Sequence, residues 1–320
     1  MLGRITSLGR RDLDFDEDGK VVVGASAFRT EASQAGFGDV APQGDSLIAV
    51  GVAYKPQPLA ACSAVAKFDG ATGAPIASFG HGAGRVCVAP PGSDVSLATS
   101  VAPLADGRVL VAGASIHPGG SGYDFSVVRL TGQGDVDETF GPNHDGWAFA
   151  HFDLGGDTND VVASMMVDHR GRILLAGPVS LTPSDSITGV VRLTEDGLAD
   201  PGFGLAGKVR LPMFDDGRIL EVRDDGGVLI GGTRADSLGS VMVLLRANGE
   251  PDASFGASGV YEYAHGDDTF WYGAPAADHL YFVGRTSVRV PGENDRDGFA
   301  VARSLWPVFE SGFEGAPTGP

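Results

Sequence analysis

Basic residues are scarce in this chain. It carries 23 Lys and Arg against 41 Asp and Glu, a formal net charge of −18 over 320 residues. A surface of that sign repels phosphates, which excludes nucleic acid and anionic membrane surfaces as partners. Solubility, a cationic ligand or calcium remain compatible with it. No run of 18 apolar residues occurs, so neither a transmembrane helix nor membrane insertion is expected. Met1 to Arg11 lack the apolar stretch of a signal peptide, so the chain is intracellular or its true start lies upstream. A sustained helical period is missing as well. So are the usual marks of catalysis: no His-Glu-x-x-His, no close His pair for a metal and no Gly-x-Ser-x-Gly elbow.

What is present is a repeat, five copies at a spacing of roughly 50 to 65 residues. Each copy has a strand that closes on glycine: Leu47 to Gly51, Val109 to Gly113, Ile173 to Gly177, Val228 to Gly232 and Leu280 to Gly284. A second strand closes on a base, at Lys67, Arg129, Arg192, Arg246 and Arg303. An aromatic corner Asp-x-x-Phe-Gly follows at Asp137 to Gly141, Asp200 to Gly204 and Asp252 to Gly256, and at Ile76 to Gly80 without its acid. Turn dipeptides such as Asp106-Gly107 and Arg170-Gly171 precede the glycine strands, and another short strand follows each corner.

One repeat therefore reads as four short antiparallel strands without a helix. That is the pattern of a propeller blade, which must stack on neighbours to bury its faces. The expected fold is all-β, a five-bladed β-propeller over residues 13–305, with an N-terminal extension at 1–12 and a flexible tail at 306–320. The last copy lacks a fourth strand. Gly19 to Gly24 align with one, so the N-terminal strand is expected to complete the last blade and close the ring. A monomer is expected.

The landmarks of residues 101–141 (Asp106-Gly107-Arg108, Gly113, Asp124-Phe125, Arg129-Leu130, Asp137, Phe140-Gly141) resemble the delta-60 repeat, a bacterial propeller domain of unknown function. The resemblance runs along nearly the whole chain. It implies the propeller fold and carries no catalytic motif. The segment Val308 to Glu314 is similar to a short tail on some secreted bacterial proteins, which implies secretion or the cell envelope.

Cys62 and Cys87 fall on neighbouring strands of the first blade. They read either as a disulfide, closing a loop of about 25 residues and stabilising by roughly 3 kcal/mol, or as two small buried hydrophobes. Asp14, Asp16 and Asp18 ahead of Gly19 form the first half of a calcium loop, but Val22 and Ala25 stand where later ligands belong. The acidic corner of the N-terminal strand accounts for the same residues. The once-per-blade bases read as strand-end partners of the corner acids, since Asp137 and Asp200 stand eight residues after Arg129 and Arg192. Phe79, Phe140, Phe203 and Phe255 read as packing between blades.

Candidate function lies where the repeat is broken. Insertions fall at Tyr54 to Ala61, His117 to Tyr123 and Asp267 to Tyr272, the last with Phe270-Trp271-Tyr272. These three aromatics with Asp160 and Asp268 are the candidate ligand-binding residues, suited to a glycan or a cationic ligand. The first reading is a non-catalytic scaffold that binds a protein, glycan or cell-surface component and needs no cofactor. The alternative is a glycan-active hydrolase built on channel carboxylates, with Asp39, Asp160, Glu221 and Asp268 as candidates.

Overall fold

Short β-branched runs alternate with Gly-containing turns along the chain, and the computed structural model folds these runs into strands. It describes residues 1–305 except 57–58, 118–121, 153, 155–158, 183–184, 234–239, 264–268, 277–278 and 289–295; from residue 263 onward it describes the strand backbone. In chain order the elements are β1 (Leu2–Gly3), β2 (Lys20–Val21), the one-turn helix α1 (Ala25–Phe28), β3 (Gln34–Gln43), β4 (Ser46–Pro56), β5 (Leu59–Asp69) and β6 (Arg85–Val88). Next come β7 (Ser96–Pro103), β8 (Val109–Ile116), β9 (Tyr123–Leu130), β10 (Trp147–Ala150), β11 (Ser164–Val167), β12 (Ile173–Thr182), β13 (Asp185–Leu193) and β14 (Lys208–Leu211). The last are β15 (Arg218–Val222), β16 (Val228–Thr233), β17 (Ser240–Leu245), β18 (Val260–Tyr263), β19 (Thr269–Ala276), β20 (His279–Val288) and β21 (Arg296–Leu305).

Four sheets have four strands in sequence order: β3 to β6, β7 to β10, β11 to β14 and β15 to β18. The sheet of β19 to β21 has three described strands. Pairing is antiparallel, as in β8 on β9 and β16 on β17. Among the described residues no helix is long and apolar enough to cross a membrane.

The chain divides into two units, residues 1–165 with 194–198 and residues 166–193 with 199–320. In the first, Ile48, Val50 and Val65 of one sheet pack with Ala98, Val109, Val111 and Val128 of the next around Phe79. In the second, Leu174, Ala176 and Val190 pack with Ile219, Val228, Ile230 and Val243 around Phe203 and Phe214. Strands buried on both faces read as unbroken apolar runs. Each such side chain contributes about 1.5–3 kcal/mol when removed from water.

Five aromatic corners share one backbone geometry. The N–H of Phe15, Phe79, Phe140, Phe203 and Phe255 donates to the carbonyl three residues earlier. Each Phe carbonyl accepts from a glycine N–H, such as Gly146 onto Phe140 at 3.0 Å. All five rings are buried. In four corners the next residue donates to a turn of the following repeat: Asp16 to Thr72, Gly80 to Gln133, Gly141 to Asp196 and Gly204 to Asn248. Each of these four corners thereby docks on its successor.

The N-terminus departs from expectation. Lys20 and Val21 pair with Gly3 and Leu2 in a separate two-stranded sheet, and do not extend the sheet of β19 to β21 in any described pairing. The reason is local. Leu2-Gly3-Arg4 supplies its own third strand, and Arg4 N–H donates to Gly19 as Arg129 N–H donates to Gly146. Residues 2–21 thus form the rear half of a repeat whose corner is Asp12 to Phe15.

Candidate functional site

Two of the recurring bases, Arg129 and Arg192, are structural clamps. Arg129 Nε donates to Asp137 Oδ2 at 2.7 Å and Nη1 to the Glu195 carbonyl at 2.9 Å, while its guanidinium lies 4.8 Å from the centre of the Phe140 ring. Arg192 repeats this with Asp200, the Ala247 carbonyl and Phe203, and Arg4 with Asp12, the Gly70 carbonyl and Phe15. One side chain thus holds its own corner and the next repeat's turn. A second guanidinium joins two of these acids, Arg108 at 3.4 Å from Asp137 and Arg172 at 3.8 Å from Asp200.

Two of the expected bases deviate. Lys67 has Ile76 at its corner and donates instead to Gln43 Oε1, and burial pushes its pKa down. Arg246 stands two residues past the clamp position, which the backbone pattern gives to Leu244; its contact with Asp252 is an exposed 3.3 Å pair. The side chain of Arg303 lies outside the described residues.

The landmark glycines mark a bulge in the first strand. The register slips at Phe37/Asp39, Ala98/Ser100 and Phe270/Tyr272, opposite Gly51, Gly113 and Gly284. A Cβ on Gly113 would lie 1.8 Å from the Leu97 carbonyl oxygen, so only glycine admits the approach. The extra residues are Gly38, Thr99 and Trp271. Trp271 therefore occupies a position that recurs in the fold, with Phe270 and Tyr272 flanking it. In β15 the slip falls at Ile219/Glu221.

The candidate carboxylates serve different ends. Asp39 Oδ2 accepts from Val101 N–H on the neighbouring sheet at 2.9 Å. Asp160, buried, accepts from Phe152 N–H, and its own N–H donates to Tyr123. Glu221 differs: its Oε2 is buried without a hydrogen-bond partner. Burial pushes its carboxyl above the ordinary range, Arg223 pulls it back, and Asp225 and Asp224 add to the rise. Asp268 lies outside the described residues, as do the side chains of Phe270, Trp271 and Tyr272.

Cys62 and Cys87 are joined in a disulfide with Cα atoms 5.5 Å apart. Asp14, Asp16 and Asp18 line an exposed turn, where Asp18 accepts from Lys20 N–H and Asp16 and Glu17 have positive φ. Among the described residues no three His, Cys, Asp or Glu side chains are placed to hold a metal ion.

Sequence spacing concealed one cluster. His117 and His151, distant in the chain, have ring centres 5.7 Å apart. Asp124 Oδ2 stands 3.2 Å from His151 Nδ1. Cross-strand register brings them together, a signal visible only after the β8, β9 and β10 hairpins are aligned.

Residues 104–140 match a family described as a β-propeller domain of unknown function, DUF5122. No curated protein matches the chain. Among solved structures, a GH43_1 enzyme from Xanthomonas citri complexed with xylose is 10% identical, with 88% of this chain and 92% of that one covered and a TM-score of 0.39. Drosophila Semaphorin 1b, extracellular domains 1-2, is 11% identical over 85% of this chain and 52% of that one, with a TM-score of 0.43. The β-propeller domain of the Trilobed protease from Pyrococcus furiosus is 10% identical over 85% and 82%, with a TM-score of 0.35.

Proposed function

We propose that this chain is a five-bladed β-propeller that acts as a non-catalytic scaffold, binding a protein, glycan or cell-surface component outside the cytoplasm. The observation that carries the reading is Trp271 in the first-strand bulge, between Phe270 and Tyr272. In a propeller the first strands border the central channel, and a bulge re-aims a side chain there. Gly38 and Thr99 hold the matching positions in two earlier repeats, whereas the last repeat has Trp271 there, a residue type that stacks on sugars or cations. The ionisable residues of the repeat support the same reading, because Asp39, Asp137, Asp160 and Asp200 are engaged in holding strands and corners. The Cys62–Cys87 disulfide favours an oxidising compartment.

The second reading, a glycan-active hydrolase, has Glu221 in its favour. A half-buried carboxyl held toward its neutral form is suited to general-acid work. A screen of the purified chain against glycans and proteins, run beside turnover of chromogenic glycosides, separates the two. Binding without turnover is the expected result. Turnover that disappears in Glu221→Gln overturns the scaffold reading.

A further inference from the structure

We propose that the ligand met by the aromatics of the last repeat is a glycan carrying free amino groups, and that Glu221 receives its ammonium. The inference rests on the Trp271 reading and names the ligand class for it. Register places the carboxylate. Successive pairs of β15 with β16 face opposite sides of their sheet. Ile219 with Ile230, and Val222 with Val228, lie on the side packed against Leu174, Ala176 and Val190 of the preceding sheet. Glu221, paired with Leu229, therefore lies on the other side. That side meets the last sheet, because β15 and β16 both pack against β19. β19 is the strand bulged at Trp271.

Asp39 shows what an acid does in such a place when the fold itself uses it. Like Glu221, it is the first residue after the slip of its strand. Its partner Val50 packs with Val101 of the following sheet, and its Oδ2 accepts from the Val101 N–H at 2.9 Å. Glu221 Oε2 has no counterpart to that bond, being buried without a hydrogen-bond partner. Arg223, two residues on, pairs with Asp225 at 3.5 Å. A buried carboxylate oxygen without a donor costs stability, and burial pushes the Glu221 pKa up accordingly. The residue as a whole is only half-buried, which leaves its carboxyl within reach of a ligand.

The missing partner is best supplied by a cation. An ammonium brings three N–H donors and a full charge, whereas a hydroxyl brings one donor and leaves the carboxylate charge unbalanced. Aromatic residues on the facing strand favour the same ligand, since a ring face attracts a cation. The net charge of −18 raises the local concentration of cations around the whole chain. A sugar ring presents a broad face to an aromatic side chain, where a lysine stem presents a thin one. An amino sugar therefore answers both the carboxylate and the aromatics.

The test is calorimetric titration of the glucosamine disaccharide, and of its N-acetylated counterpart, into oxidised full-length parent, Glu221→Gln and Trp271→Ala. Physiological salt screens the diffuse surface charge. The parent should bind the free amine roughly tenfold or more tightly than the acetylated form. Glu221→Gln should erase that preference while its melting temperature at neutral pH rises, an outcome that a merely structural role does not produce. Equal affinity of the parent for the two disaccharides overturns the proposal; if Trp271→Ala weakens both, the Trp271 reading stands without it. A preference that survives in Glu221→Gln overturns it as well. So does the absence of binding by either disaccharide, with or without binding of a lysine peptide. Loss in Glu221→Gln without loss in Trp271→Ala retains the ammonium site and overturns the Trp271 reading.

Discussion

Arg129 and Asp137, eight residues apart, close the corner of their repeat through a 2.7 Å bond from Nε to Oδ2, and the same guanidinium reaches the Glu195 carbonyl. Only 3% of the Arg129 side chain and 11% of Asp137 remain exposed. Removing the arginine leaves a largely buried carboxylate. Arg129→Met should cost about 2–3 kcal/mol, less than the 3–5 typical of a broken buried pair, because Arg108 and Thr139 still reach Asp137. Arg246→Met, at an exposed pair outside the clamp position, should cost about 1 kcal/mol or less. Urea unfolding of both variants checks the contrast.

Gly197 sits in the turn on which the Phe140 corner docks, with φ +81°, and a Cβ there would come within 2.6 Å of the Phe140 ring. Gly44 also has positive φ, but a Cβ there meets nothing within 4 Å. Gly197→Ala should therefore lose about 1–3 kcal/mol and Gly44→Ala about 1 or less. Equal losses in thermal denaturation would show that the ring contact is not the constraint.

Reduction of the Cys62–Cys87 bond, or its replacement by Cys62→Ala with Cys87→Ala, should lower stability by about 3 kcal/mol, the loop-closure value for a loop of this length. The double variant should show no further loss on addition of reductant.

Acid should act on the clamps. Burial raises the Asp137 carboxyl, but hydrogen bonds from Thr139 and the Arg129 guanidinium outweigh it and hold its pKa below 3.8. Burial likewise raises Asp168, and the bonds and charge of Arg172 bring it below 3.8. A lowered folded-state pKa gives stability that is complete above the unfolded value and is lost as pH falls through the folded one. Stability should thus decline from about pH 4 downward. Glu221 has the opposite sign: raised above 4.5, its contribution is complete below that value and is lost as pH rises. Glu221→Gln should be more stable than the parent at pH 7, with the advantage shrinking toward pH 4. Urea midpoints across this range supply the check.

Much of this architecture was legible in the order of residues. The glycine strands, the Arg129–Asp137 and Arg192–Asp200 pairs and the corner phenylalanines recur at spacings that chain geometry demands. Arg4 escaped because its strand is only Leu2–Gly3, too short to show a period. For the same reason the N-terminal strand read as the missing piece of the last blade. Arg246 ends an apolar run but stands two residues beyond the place counted back from Asp252. The bulge at Trp271 and the meeting of His117 with His151 depend on cross-strand register, which turn lengths fix and local composition does not reveal.

The account's central claim, that this chain binds through the aromatics of its last repeat, is tested most directly by comparing ligand binding of the parent with Trp271→Ala on the same glycan and protein panel. The account predicts a parent that binds and a variant weakened at least tenfold at unchanged melting temperature, the loss of one stacked aromatic being worth about 1–3 kcal/mol. A variant that binds as well as the parent would contradict it.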